Sequence, residues 1–287
     1  MTADDDVPTV AAAKEWTVID VPVTLPRPIR ARSTVGGRVR AVLLPILGLA
    51  ILIGIWWLAV GVFHISDFVL PTPGQVVTSF VDKPMDFISQ IMPTFEEMLY
   101  GYGLAVVSGL VIALVISQSR TLNEMFYPLL VAFNAVPKQA LGPIAITWFG
   151  LGQASKVALV LIICFFPVVV SAYAGFASTP SDFVELSRAL SASRLQTFFK
   201  VRFPSSLPQI FVGLKVSAGL AGIGAVVGEL SGAIRGLGSA IFAYNGQGQT
   251  ANEFVAIILL SIISVGLYFV VVLAERLIVP WASRTTG

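Results

Sequence analysis

Residue types able to do covalent or metal chemistry are scarce in this sequence, and their placement argues against catalysis. Cys164 is the one cysteine, set in an apolar run over 157–170. It has no partner for an intramolecular disulfide and no Cys or His cluster around it for metal ligation, so it reads as a small core residue. His64 is the one histidine, so neither a His-based metal site nor a Ser-His arrangement is available, and it reads as an interfacial surface residue. The nearest thing to a phosphate loop is Gly150-Leu151-Gly152-Gln153-Ala154-Ser155-Lys156-Val157. It lacks the Gly before Lys and the Ser or Thr after it, and its glycines read as a turn between two apolar segments. A polytopic membrane enzyme needs a convergent set of His, Asp, Ser or Cys at one depth, and none is seen.

Three ionisable residues inside apolar stretches carry more information, because a charge in hydrocarbon costs roughly 2.5–3.5 kcal/mol on insertion scales. Lys138 lies deep in its stretch, beside Pro137 and near Asn134 and Gln139, and must face protein or water. It is either a path-lining cation that favours an anionic or carbonyl-bearing substrate, or one half of a structural ion pair or carbonyl contact. Glu229, at the end of another stretch, either lines an outer gate or partners Arg235. Lys215 is nearer an end and is expected to snorkel. Asn134, Lys138, Gln139 and Glu229 are the candidate path residues.

The elements that would position these residues follow from composition. Of 287 residues, 56% are hydrophobic and 12% charged, against about 25% charged in a soluble globule. The bilayer is therefore the expected solvent. A net charge of +2 offers nothing to nucleic acid. Six apolar stretches are long enough to span, at about 20 residues each: 41–62, 93–117, 124–149, 156–178, 207–229 and 253–279. The expected organisation is a polar, disordered tail over 1–40, one all-α membrane domain over 41–280 and a short tail over 281–287, with 230–252 a Gly-rich re-entrant or surface segment. The first forty residues have no apolar core region and are not expected to form a signal peptide.

Basic residues near span ends stay in the cytoplasm. With the N-terminus inside, Lys14, Arg27, Arg30, Arg32, Arg38, Arg40, Arg120, Arg188, Arg194, Lys200, Arg202, Arg276 and Arg284 fall on the cytoplasmic side, and Lys83, Lys156 and Arg235 on the other. That asymmetry fits an even number of crossings with both termini cytoplasmic. Gly101, Ala105, Gly109, Ala113 and Ser117 form a small-residue face at four-residue spacing, and Gly224, Gly228, Gly232 and Gly236 repeat the device, the last two at or beyond the expected helix end. Such faces let helices approach closely in lipid, within a subunit or between subunits. Pro137 and Pro143 predict a kinked or broken third span, which is tolerated where the backbone lines a cavity or is buried in protein.

The segment 179–208 is the most distinctive. Thr179 is a good N-cap, Pro180 suits the first helical position, and Asp182 sets a carboxylate in the first turn. Phe183, Leu186 and Leu190 fall on one face of the short helix so started, with Glu185 and Arg188 elsewhere. It is a helix lying on lipid or one offered to a groove on a partner protein.

Glu185-Leu186-Ser187, Ser191 and Val201-Arg202-Phe203-Pro204 have the spacing of the loop shared by permeases of binding-protein-dependent ABC importers: Glu-Ala-Ala, three residues, Gly, nine residues, Ile-x-Leu-Pro. Leu186 and Ser187 replace the alanines, Ser191 the glycine, and Val201 and Phe203 the Ile and Leu. Leu70-Pro71-Thr72-Pro73, Val136-Pro137-Lys138-Gln139-Ala140-Leu141 with Pro143 and Trp148-Phe149-Gly150, Pro204 to Pro208 with Gly213-Leu214, and Gly236-Leu237-Gly238 after Glu229 extend the resemblance to nearly the whole chain after residue 40. They narrow it to the nitrate, sulfonate and taurine branch. The chain thus resembles the transmembrane subunit of a type I ABC importer of the bacterial inner membrane.

The resemblance implies a pore between two permease copies, a separate ATPase dimer that hydrolyses ATP, an extracytoplasmic binding protein that delivers substrate, and no cofactor. It implies that Asp182, Phe183, Glu185, Leu186, Ser187, Arg188, Leu190, Ser191 and Arg194 form the element seated on the ATPase. The implied substrate is a small organic nutrient or anion, and the Pro137-Lys138-x-Ala140-Leu141 variant equally resembles permeases for heteroaromatic vitamin precursors. An ion-coupled secondary transporter is the rival reading; it would use intramembrane acids or inverted repeats, and no matching pair of broken helices is seen in two halves.

Overall fold

A computed structural model describes residues 35–281; of the expected tails over 1–40 and 281–287, residues 1–34 and 282–287 lie outside the described residues, and 35–40, expected as tail, begin the first helix. All regular structure among the described residues is helical. The helices are α1 (Val35–Phe63), α2 (Pro73–Asp82), α3 (Pro84–Ser117), α4 (Arg120–Asn134), α5 (Gly142–Phe149), α6 (Gln153–Ala177), α7 (Ser181–Ala189), α8 (Arg194–Thr197), α9 (Phe203–Leu230), α10 (Leu237–Gly246) and α11 (Thr250–Ile278). Five helical runs are long and apolar enough to cross a bilayer, and α4 with the Lys138–Phe149 run makes a sixth if that bent pair is one span.

The core is α6 held between α3 and α9, with α11 packed on the far side of α9. The small-residue faces make this possible and act inside the subunit. A side chain at Gly101 would collide with Val160 of α6, and one at Gly224 would bring its Cβ to 2.7 Å from the Val160 Cα, so Val160 is gripped from both sides. Ala105 and Ala113 are fully buried on the same face of α3. Gly232 and Gly236 lie beyond the end of α9, both at φ 125, where only glycine sits without strain. Cys164 is buried in this core, its Sγ 3.2 Å from the Ser217 carbonyl oxygen, and His64 is exposed at a turn.

Several boundaries differ from those read in the sequence. α3 begins nine residues before the expected 93, so Pro93 lies inside it. The fifth span begins at Arg194 rather than 207, forming one 37-residue run to Leu230. Its start is a capping box in which Ser193 and Gln196 bond each other's backbone. A π turn over Phe198–Arg202 follows, just before Pro204, whose missing N–H leaves the register free to shift. The third span breaks: α4 stops at Asn134, a 3-10 turn covers Lys138–Leu141, and the two parts meet at 89°. Pro143 does not kink a helix. It occupies the first turn of α5, where its missing donor has no partner to lose. The segment 230–252, expected as a re-entrant or surface segment, contains α10.

α1 stands apart. Trp56 anchors it, donating from Nε1 to the Pro71 carbonyl oxygen at 3.1 Å and packing on Phe254, while most of its large apolar side chains are exposed.

Candidate functional site

α7 is built from local signals. Pro180, at φ −58 and ψ 135, is the N-cap, displacing Thr179 by one residue. Its ψ keeps the backbone extended, so the helix starts at Ser181 and Asp182 is in the first turn. Phe183 and Leu186 are each 56% exposed and Leu190 74%, which makes the apolar stripe expected from their spacing. Ser187 turns inward and donates from Oγ to the Phe183 carbonyl at 2.7 Å.

The helix ends in a complete Schellman motif. The Ala192 N–H donates to the Ser187 carbonyl at 3.0 Å and the Ser191 N–H to the Arg188 carbonyl at 2.9 Å, with Ser191 at φ 56. This left-handed position is one that glycine fills at least cost. Ser191 thus makes the turn although it carries a side chain in place of the glycine of the pattern. Glu185, Arg188 and Arg194 are exposed.

The candidate path residues do not form one group. Asn134, Lys138 and Gln139 come together at the break between α4 and the 3-10 turn. Lys138 Nζ donates to Asn134 Oδ1 at 2.9 Å and to its carbonyl oxygen at 3.1 Å, and sits 5.5 Å from the Phe166 ring centroid. Asn134 and Gln139 are exposed, and α4 buries no residue. The break is an open face with a cation steadied by carbonyl oxygens and an aromatic ring.

Glu229 lies elsewhere. It is 1% exposed and accepts from Thr94 Oγ1 at 2.6 Å, the Gly238 N–H at 2.6 Å and the Ser239 N–H at 3.1 Å. A carboxylate there satisfies the open amides at the start of α10 and opposes the positive end of its dipole. The side chain is enclosed, and among the described residues it has no ion pair with exposed Arg235. Thr94 also accepts from the Leu237 N–H at 2.8 Å, and Gln90 Oε1 accepts from the Gly236 N–H at 2.8 Å.

Beside it, Lys156 pairs with buried Glu97 at 3.0 Å, an ion pair not foreseen in the sequence. One signal could have found it, since Glu97 continues the four-residue series of Gly101, Ala105 and Gly109 backwards by one step. Lys215 also differs from expectation. It pairs with Glu275 at 2.9 Å, tying α9 to α11. Among the described residues no cluster of three His, Cys, Asp or Glu side chains could hold a metal.

An all-helical bundle, a broken span with an open polar face and a short amphipathic helix at its cation-rich end define a polytopic membrane transport subunit. Residues 105–284 match the family described as binding-protein-dependent transport system inner membrane component, and the chain belongs to it. It is 33% identical to a probable ABC transporter permease of Haemophilus influenzae, over 78% of this chain and 92% of that one. It is 32% identical to the formylaminopyrimidine transport permease ThiX of Halalkalibacterium halodurans, over 84% and 96%. Permeases named for sulfonates, taurine and nitrate also match, which places the chain in that branch of ABC importer permeases. A structure of the MetNI methionine ABC transporter in an inward-facing conformation shares the fold, with TM-score 0.59 at 20% identity over 68% of this chain and 98% of that one.

Proposed function

We propose that two copies of this chain form the channel of an ATP-driven importer, with α7 docked in a groove of a separate ATPase and both termini in the cytoplasm. The exposed apolar stripe of α7 carries the reading. Phe183, Leu186 and Leu190 are held in one pose by the Schellman turn, at the end of the bundle that also carries Arg120, Arg194, Lys200, Arg202 and Arg276. A rigid apolar face with the exposed carboxylates of Asp182 and Glu185 beside it suits a protein groove, with the charges setting register more than affinity. Closure of the ATPase pair would drive the two α7 helices together, and the rigid run from Arg194 to Leu230 would carry that displacement into the membrane. Substrate would arrive from an extracytoplasmic binding protein and pass the open face at Asn134, Lys138 and Gln139.

The substrate is a small organic nutrient or anion, for which the Lys138 cation provides a complementary charge. A heteroaromatic precursor is the second reading, supported by the similarity to ThiX and the 32% identity to the riboflavin permease RibX of Chloroflexus aurantiacus. Co-expression with the ATPase subunit tests the docking role. The native chain is expected to co-purify with it in detergent, and Phe183→Asp with Glu185→Lys to abolish the complex while the protein still inserts. A complex unaffected by both changes would leave α7 as a lipid-surface element.

A further inference from the structure

We propose that a cavity behind α7 binds the phosphate of an anionic phospholipid headgroup. The side of α7 away from its exposed stripe presents Val184 and Arg188, one turn apart. They wall a cavity of about 600 Å³, closed by the end of α3 and by the π turn. Three guanidinium groups line it, those of Arg188, Arg194 and Arg202, and no lining residue is acidic. None of the three forms an ion pair with a described residue, and Arg202 Nε is a buried donor with no hydrogen-bond partner. Arginine forks match phosphate oxygens two at a time, so an unopposed triad with an unspent buried donor is built for an anion of that kind.

The rest of the cavity selects a lipid over a soluble phosphate. Its other wall is Leu114, Leu195, Phe198 and Phe199, with Leu195 and Phe199 largely exposed beside it. On either side of Leu114 along α3, Val111 and Val115 are exposed, so the basic cavity adjoins an apolar surface that acyl chains would cover. Basic pockets between membrane helices on the cytoplasmic side have this form when they hold acidic headgroups. The inference rests on the orientation proposed above but not on docking to an ATPase. A bound phosphate would bridge Arg188 of α7 to Arg202 of the π turn and fix the pose of α7 against the bundle.

The delipidated full-length chain in detergent can be titrated with phosphatidylglycerol, with phosphatidylcholine of the same acyl chains, and with inorganic phosphate, reading the thermal unfolding midpoint and the lipid retained in native mass spectrometry. Phosphatidylglycerol is expected to raise the midpoint saturably and to be retained, and phosphatidylcholine is not. Arg188→Gln with Arg194→Gln is expected to require at least about 10-fold more phosphatidylglycerol, the corresponding Lys pair much less of an increase, and Arg120→Gln, at an exposed cation outside the cavity, none. Equal effects of the two lipids, or a Gln pair that behaves as the parent, would overturn the proposal. An equal effect of inorganic phosphate would assign the site to a soluble anion. A Gln pair that loses the ATPase while keeping phosphatidylglycerol would assign the arginines to an acidic partner surface. Phe183 lies outside the cavity, so Phe183→Asp is expected to keep the lipid effect whatever it does to ATPase binding, and the two readings can fail separately.

Discussion

Two single residues hold the site's geometry, and neither could be assigned from type alone. Ser191 makes a left-handed turn that glycine makes without strain, at a cost of about 1 kcal/mol for a residue with a Cβ. Ser191→Gly is therefore expected to keep or slightly raise the thermal midpoint and to preserve ATPase binding, whereas Ser191→Val, β-branched at positive φ, should lower both. Glu229 receives two backbone amides and the Thr94 hydroxyl. Glu229→Ala strands these buried donors at about 1–3 kcal/mol each. It is expected to lower the midpoint sharply and to speed proteolysis near α10, with Glu229→Gln intermediate because it keeps one acceptor. A path-lining role alone would leave the midpoint unchanged. The position of Glu229 near a span end was legible in the sequence, but its partners were not, because Thr94 and Gly238 approach it only through tertiary packing. The same holds for Lys215, whose partner Glu275 is sixty residues away.

Among the elements, the small-residue series and the apolar stripe were readable because each depends on local periodicity. Spacing could not say whether the series met a helix of the same chain, and here Gly101, Gly109, Gly224 and Gly228 all face α6. A Cβ at Gly228 would lie 2.8 Å from the Lys156 Cα, so the backbone itself would have to move. Gly228→Leu is expected to lose folded protein in detergent, at the upper end of the roughly 1–3 kcal/mol for overpacking. Gly266→Ala, where nothing lies within 4 Å, should be tolerated, and comparing their monodisperse yields checks the assignment. The third span was legible as irregular from Pro137. The size of its bend and the helix start at Gly142 were not, because they depend on which residues around each proline find hydrogen-bond partners. The early start of the fifth span rests on Ser193 and Gln196, a capping signal overlooked beside the amphipathic helix before it.

At the scale of the molecule, the exposed apolar surfaces are continuous with function. α1, α4 and α5 leave Trp57, Leu129, Phe133 and Trp148 uncovered, as expected of a chain whose solvent is the bilayer. Under the proposed function a protein so poor in catalytic residue types would still serve an energy-driven process: hydrolysis would fall to a partner, and this chain would supply a lever and an opening. The measurement that tests this most directly is ATP hydrolysis by the ATPase subunit reconstituted with this chain in liposomes, with and without substrate-loaded binding protein. Hydrolysis is expected to rise when binding protein is added on the outer side, and to lose that response with Phe183→Asp in an otherwise stable protein. Hydrolysis indifferent to both the chain and the binding protein would contradict the role proposed here.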